Sequence, residues 1–97
     1  MKPVRLTSPA EQEMLDAAYY YERQVRRLGQ ECLSEIDSAL RDVKEAPERW
    51  PVVRDQVRRR LVHRFPYAVL YRVDPEEIVV LAVMHLHRRP SYWLDRL

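Results

Sequence analysis

At 97 residues, 46% hydrophobic and 33% charged, the chain is long enough for one domain with a single modest core, and its composition excludes disordered, collagen-like and low-complexity classes. One cysteine, Cys32, excludes a disulfide framework, and the longest apolar run, Ile78 to Met84, is far short of the roughly 20 residues of a membrane-spanning helix. The net charge of +2 is unevenly spread: seven Lys/Arg face ten Asp/Glu in residues 1–48, and ten face five in residues 49–97.

All but two of the cations are arginine, whose guanidinium binds carboxylate or phosphate in a two-pronged way that lysine cannot. The Arg-rich second half is therefore expected to meet an anionic partner, unless it is simply a solvated surface. No apolar stretch follows Met1-Lys2-Pro3-Val4-Arg5, so no secretory signal and a cytoplasmic location are expected.

In chain order, Val4-Arg5-Leu6 alternates like a short strand. Ser8-Pro9-Ala10-Glu11 follows as a helix start: a capping serine, a proline suited to the first helical position, and a glutamate to complete a capping box. Met14, Ala18, Tyr21, Val25 and Leu28 recur at helical spacing as one apolar stripe. Gly29, the only glycine, interrupts the pattern; a second stripe runs through Cys32, Leu33, Ile36, Ala39, Leu40 and Val43 and ends before Pro47. Two amphipathic helices with almost nothing between them predict an antiparallel helical hairpin.

After Trp50-Pro51 the period becomes strand-like. Arg60 to Phe65 alternates, Tyr67 to Val73 alternates, Asp74-Pro75-Glu76-Glu77 is a turn, and Ile78 to Leu86 is apolar on both faces, as in a central strand. Arg88-Arg89-Pro90-Ser91-Tyr92-Trp93 leaves the sheet toward a short terminal helix. The expected fold is α+β, in the order β-α-α-β-β-β, with the helices on one face of the sheet. Residues 1–97 are expected to be a single domain.

Several segments resemble a known family: Tyr19-Tyr20-Tyr21-Glu22, Leu28-Gly29, Ala46-Pro47-Glu48-Arg49-Trp50-Pro51, Arg64-Phe65-Pro66-Tyr67, Leu70-Tyr71-Arg72-Val73, Ile78 to Val83, and His85-Leu86-His87-Arg88-Arg89-Pro90. Together, in this order and over nearly the whole chain, they resemble the toxins of type II toxin–antitoxin modules in the RelE/ParE superfamily, on the plasmid-stabilisation, ParE-like side. The resemblance implies a helical hairpin across a small, mostly antiparallel sheet. It also implies a cognate antitoxin whose C-terminal segment wraps the toxin in a hetero-oligomer. The implied activity is growth inhibition, either by poisoning DNA gyrase or, alternatively, by ribosome-dependent mRNA cleavage.

The family's nucleases place an arginine at the start of the third strand, in a His-Arg-x-Val-Tyr pattern. Here the stretch is Tyr67-Ala68-Val69-Leu70-Tyr71, with Ala68 in the arginine's place, which favours the gyrase reading. A toxin reduced to an antitoxin-binding subunit is a third reading.

Candidate sites follow from residue type. Arg58, Arg60 and Arg64 would share one strand face, with Arg59 on the other, either as a binding surface for an acidic partner or nucleic acid or as a guard against edge-to-edge pairing. Under the nuclease alternative, Arg64, His85, His87 and Arg88 are the catalytic candidates, with a histidine as general base; otherwise the histidines end a strand. Arg88, Arg89, Tyr92 and Trp93 form a candidate contact with target or partner, of the composition enriched at interaction hot spots, unless the aromatics fold back over the sheet. His63 with His85 and His87 is too poor a set for a metal, and no cofactor is expected. Cys32 belongs to the core. In so small a domain one sheet face is expected to stay partly uncovered, ready for the antitoxin.

Overall fold

A computed structural model describes residues 1–97. β1 (Val4–Leu6) leads into α1 (Ser8–Gln24) and α2 (Leu28–Glu45); β2 (Val52–Arg54), β3 (Val57–Leu61), β4 (Tyr67–Val73) and β5 (Ile78–His85) follow, and a 3-10 turn, Leu94–Arg96, comes last. The five strands form one sheet in the order β1-β5-β4-β3-β2, antiparallel except for β1 beside β5. Both helices pack on one face, as the α+β expectation required. No helix is long and apolar enough to cross a membrane.

Local chemistry explains the elements and corrects some of their details. Thr7, not Ser8, caps α1: its Oγ1 accepts from the Ala10 amide at 3.3 Å. Thr7 N–H also donates to Val80 O at 3.1 Å, extending the β1–β5 ladder by one bond, so the chain turns into the helix one residue earlier than expected. Glu11 then falls one position too late for a capping box. The helix buries Ala10, Ala17 and Ala18, whose small side chains let it lie close to the sheet and to α2. Val25, assigned above to the apolar stripe, instead ends the helix in an extended conformation and is exposed.

The hairpin is held by Glu22. Its carboxylate accepts from the Arg27 amide at 3.0 Å and the Gly29 amide at 3.1 Å, capping α2 from across the turn in place of a local side-chain cap. Arg27 takes the left-handed conformation (φ 73°), not Gly29. The glycine serves close approach: a Cβ there would lie 2.4 Å from Ala18 O and 2.9 Å from Glu22 Cβ.

On the sheet, Val69 and Tyr71 face the helices and pack with Cys32, Ile36, Ala39 and Val43; Ala68 and Leu70 face the other way. β5 carries a bulge. Leu70 pairs with Ala82 and Tyr71 with Val80, so Leu81 is the extra residue, and Leu81 and Ala82 both lie on the second face. The alternation is therefore rephased, and Val83 returns to the helix side.

Three expectations fail on the sheet. β3 stops at Leu61, and Val62–Pro66 is a turn in which Arg64 has φ 70°, so Arg60 to Phe65 is not a continuous strand. The antiparallel edge strand β2 was not anticipated, because Val52-Val53-Arg54 is exposed throughout and has no buried face to write a period. The second sheet face is also not left open at its centre. Trp93, 2% exposed, packs there with Val57, Leu70, Val79 and Leu81, flanked by Tyr92 and Leu94.

Because the space at Gly29 is closed by backbone, Gly29→Ala is expected to destabilise the fold by about 1–3 kcal/mol, the usual cost of overpacking, despite alanine's better helix propensity. Urea unfolding followed by circular dichroism measures it; an equal or higher midpoint would contradict the close-approach account.

Candidate functional site

α1 and the C-terminal half of β5 flank a cleft of about 540 Å³ lined chiefly by Ala17, Tyr20, Tyr21, Tyr67, Val83 and His85, with Glu13, Asp16 and Arg88 at its polar margin. The bulge in β5 builds it. Rephasing turns His85 to the helix side, where its ring meets Tyr67 edge-on at 5.0 Å. Tyr21 links Tyr67 (6.4 Å) to Phe65 (4.9 Å) and to the exposed Tyr20 (5.1 Å), making an aromatic wall along α1.

β5 is unpaired along this cleft. β1 matches only Ile78 to Val80, so residues 81–85 have no strand on that side. Side chains take the place of a strand. Glu13 Oε1 accepts from the Val83 amide at 3.1 Å, while Leu81 O accepts from Arg96 at 3.1 Å and from the Thr7 hydroxyl at 3.4 Å. Glu13 further accepts from Tyr92 OH at 2.6 Å and from both Arg96 Nη atoms at 2.9 and 3.2 Å. The two-pronged ion pair is well shielded, with side chains only 15% and 20% exposed. Burial and the Glu13 carboxylate push the Tyr92 phenol well above its ordinary range, and that carboxylate also raises Arg96. The Arg88 guanidinium lies 3.9 Å above the Tyr92 ring.

The expected site residues fall into separate places. Arg58 and Arg60 share a face, but it is the helix side. Arg58 donates to Glu48 O (3.0 Å) and Trp50 O (2.7 Å), and Arg60 pairs with Asp42 (2.7 Å) with its guanidinium 4.5 Å from the Trp50 ring. They are taken up in holding the α2–β2 connection to the sheet. Arg64 lies past the strand and pairs with Glu31 of α2 (2.9 Å), away from the cleft, so it does not join His85 and Arg88.

His87 is beyond the end of β5, yet its ring stands 5.1 Å from that of His85, and its amide donates to His85 Nδ1 at 3.1 Å. Nδ1 is thus occupied as an acceptor, leaving Nε2 as the proton-bearing nitrogen of the neutral ring. Tyr92 is half-buried against Glu13 and Trp93 is buried, so of the C-terminal patch only Arg88 and Arg89 are exposed. His63 lies in the β3–β4 turn. Cys32 is fully buried, and burial pushes its thiol up to about 11, in keeping with a core residue.

Sequence reasoning missed Glu13 and Arg96. Glu13 reads as one acid among several on a helix, and only a pairing across most of the chain gives it a role.

The family described as "ParE toxin of type II toxin-antitoxin system, parDE" matches residues 4–90. A solved structure described as "Chromosomal ParDE TA system from P. aeruginosa" superposes with a TM-score of 0.80 at 16% identity, over 90% of this chain and 98% of that one. No curated protein matches.

Burial pushes the Tyr67 and Tyr71 phenols up to about 12 from an ordinary 10. Their neutral forms are favoured in the fold, so the stability they lend is complete below pH 10 and is lost as pH rises from 10 toward 12. Urea midpoints are expected to fall over that window. Absorbance at about 295 nm should report that Tyr67, Tyr71 and Tyr92 ionise late in the native protein and normally in urea. Trp93→Ala is expected to cost about 3–5 kcal/mol as a core deletion, measurable in the same unfolding experiment.

Proposed function

The chain belongs to the ParE toxins of type II toxin–antitoxin systems, and from that membership we propose that it stops bacterial growth by binding a protein target, DNA gyrase by family resemblance, until a cognate antitoxin neutralises it. The observation that carries the choice of a binding toxin over a nuclease is Ala68. The residue standing where the family's nucleases have an arginine is fully buried on the second sheet face, packed in the Trp93 cluster, and has no cation to offer. Arg64 and Arg72, each four positions away, are turned to Glu31 and Asp74. The exposed Arg88 and Arg89 are then the target contact, with Arg88 held over Tyr92. Trp93, being buried, supports that contact from beneath the chain.

For the antitoxin, an extended segment pairing with the open edge of β5 near Val83–His85 is the proposed occupant, with an apolar side chain in the cavity beside Tyr20, Tyr21 and Tyr67. Two features support this. The edge offers main-chain groups without a partner strand, and Tyr20, more than half exposed, stands at the mouth of the cavity.

A second reading has its own observation, since Tyr67, His85 and Arg88 do share the cleft, and a histidine, a cation and a phenol are the groups RNA cleavage uses. Induction in bacterial cells, with labelled thymidine and amino-acid incorporation followed over the first minutes, separates the two. DNA synthesis is expected to stop first. His85→Ala should leave toxicity intact, and Arg88→Ala with Arg89→Ala should lower it by roughly ten- to a hundredfold, the loss of one or two contact hot spots. Translation stopping first, with His85→Ala harmless to the cell, would replace the gyrase reading by the nuclease. Tyr20→Ala is expected to weaken antitoxin binding by about thirtyfold, read by isothermal titration.

A further inference from the structure

The C-terminal segment does more than close the second sheet face. It also occupies the edge of β5 that a partner strand needs. An incoming strand must hydrogen-bond to the Val83 amide and to Leu81 O, and both are taken, the first by Glu13 and the second by Arg96 and Thr7. Glu13 and Arg96 are joined to each other, and Glu13 holds Tyr92, so displacing this pair from the edge undoes the anchoring of residues 92–96 as a unit. Tyr92 in turn carries the Arg88 guanidinium.

We propose that residues 88–97 are a strap that Glu13 fastens over the open edge of β5, and that an antitoxin strand and the strap compete for this one edge. Antitoxin binding then dismantles the platform under Arg88, so a partner docked at the edge silences a target contact it never touches. The competition rests on the edge-docking reading given above; the fastening of the strap by Glu13 does not.

Two further features fit a strap that opens. Its backbone bonds are short-range turns: Tyr92 N to Arg89 O, Leu94 N to Ser91 O, Arg96 N to Trp93 O and Leu97 N to Leu94 O, with no ladder to the sheet. The indole Nε1 of Trp93 is buried without a hydrogen-bond partner, so the closed strap leaves one polar group unsatisfied that water would satisfy on opening.

Amide hydrogen exchange on the full chain, alone and in complex with the antitoxin co-purified from its own operon, tests both parts. In the free chain, Glu13→Ala is expected to speed exchange at Val83 and in residues 92–97 by about tenfold or more, with Ala39 and Val69 unchanged, because only the local opening equilibrium shifts. Unchanged protection would overturn the fastening. Arg96→Ala, which removes the other partner of the pair without changing a residue of α1, is expected to do the same and decides the matter if Glu13→Ala does not fold.

In the complex, Val83 and His85 should gain protection while residues 94–97 lose it. Protection of both segments together would overturn the competition while leaving edge docking in place. A complex that left Val83 and His85 unprotected would remove edge docking and the competition with it, and the fastening would still stand on the free-chain result.

Discussion

β5 outruns its neighbour. β1 ends at Leu6 because Thr7 is drawn into capping α1, so the far half of the longest strand reaches the edge of the sheet with main-chain groups that no strand receives. Leaving such groups buried and unpaired would cost about 1–3 kcal/mol apiece, and much of the molecule is arranged to prevent it. A glutamate from α1 accepts from one amide, and an arginine from the last turn donates to one carbonyl and ties itself to the glutamate. The chain's end must therefore return across the molecule, and in doing so it lays Trp93 over the second face of the sheet. The cleft, the terminal segment and the sealing of the second face are three consequences of one short strand.

The same economy explains the charge asymmetry. An acidic first half and an arginine-rich second half suggest an external anionic partner, but the folded chain satisfies much of the difference internally. Arg60 pairs with Asp42, Arg64 with Glu31 and Arg96 with Glu13, each joining the second half to a helix of the first. The more exposed of these add little, since surface ion pairs contribute about 0–1 kcal/mol; they set helix-to-sheet register more than stability. The Glu13 pair differs, being shielded, two-pronged and hydrogen-bonded to main chain as well. Exposed and outside these pairs in the second half are Arg88 and Arg89 at the base of the terminal segment, together with Arg54 on β2 and Arg49 beside Trp50.

The sheet also shows how one residue redirects a site. Were Leu81 paired in register instead of bulged, strict alternation would place His85 on the second face with Leu70 and Val79, away from α1. With it, His85 meets Tyr67 and the aromatic wall. The apolar run from Ile78 to Met84 is buried on both faces and so conceals the bulge, because no polar residue marks the change of phase.

The two helices, the place of Tyr21 on the apolar stripe of α1, and the strands 67–73 and 78–85 were legible in the sequence, because each is written in a local period of 3.6 or 2 that burial on one side or both enforces. So was the order of the elements apart from β2, while the family was read from the resemblance of segments along nearly the whole chain. The cap at Thr7, the exposed edge strand β2, the bulge, the internal use of Arg58 and Arg60, the burial of Trp93 and the role of Glu13 were decided by tertiary structure alone. The bonds of Glu13 join residues 70 to 83 positions apart, and no local pattern records which of several acids on a helix will face the one amide left unpaired. Periodicity tells a residue which side of its own element it is on; only the packing of elements tells it what it meets there.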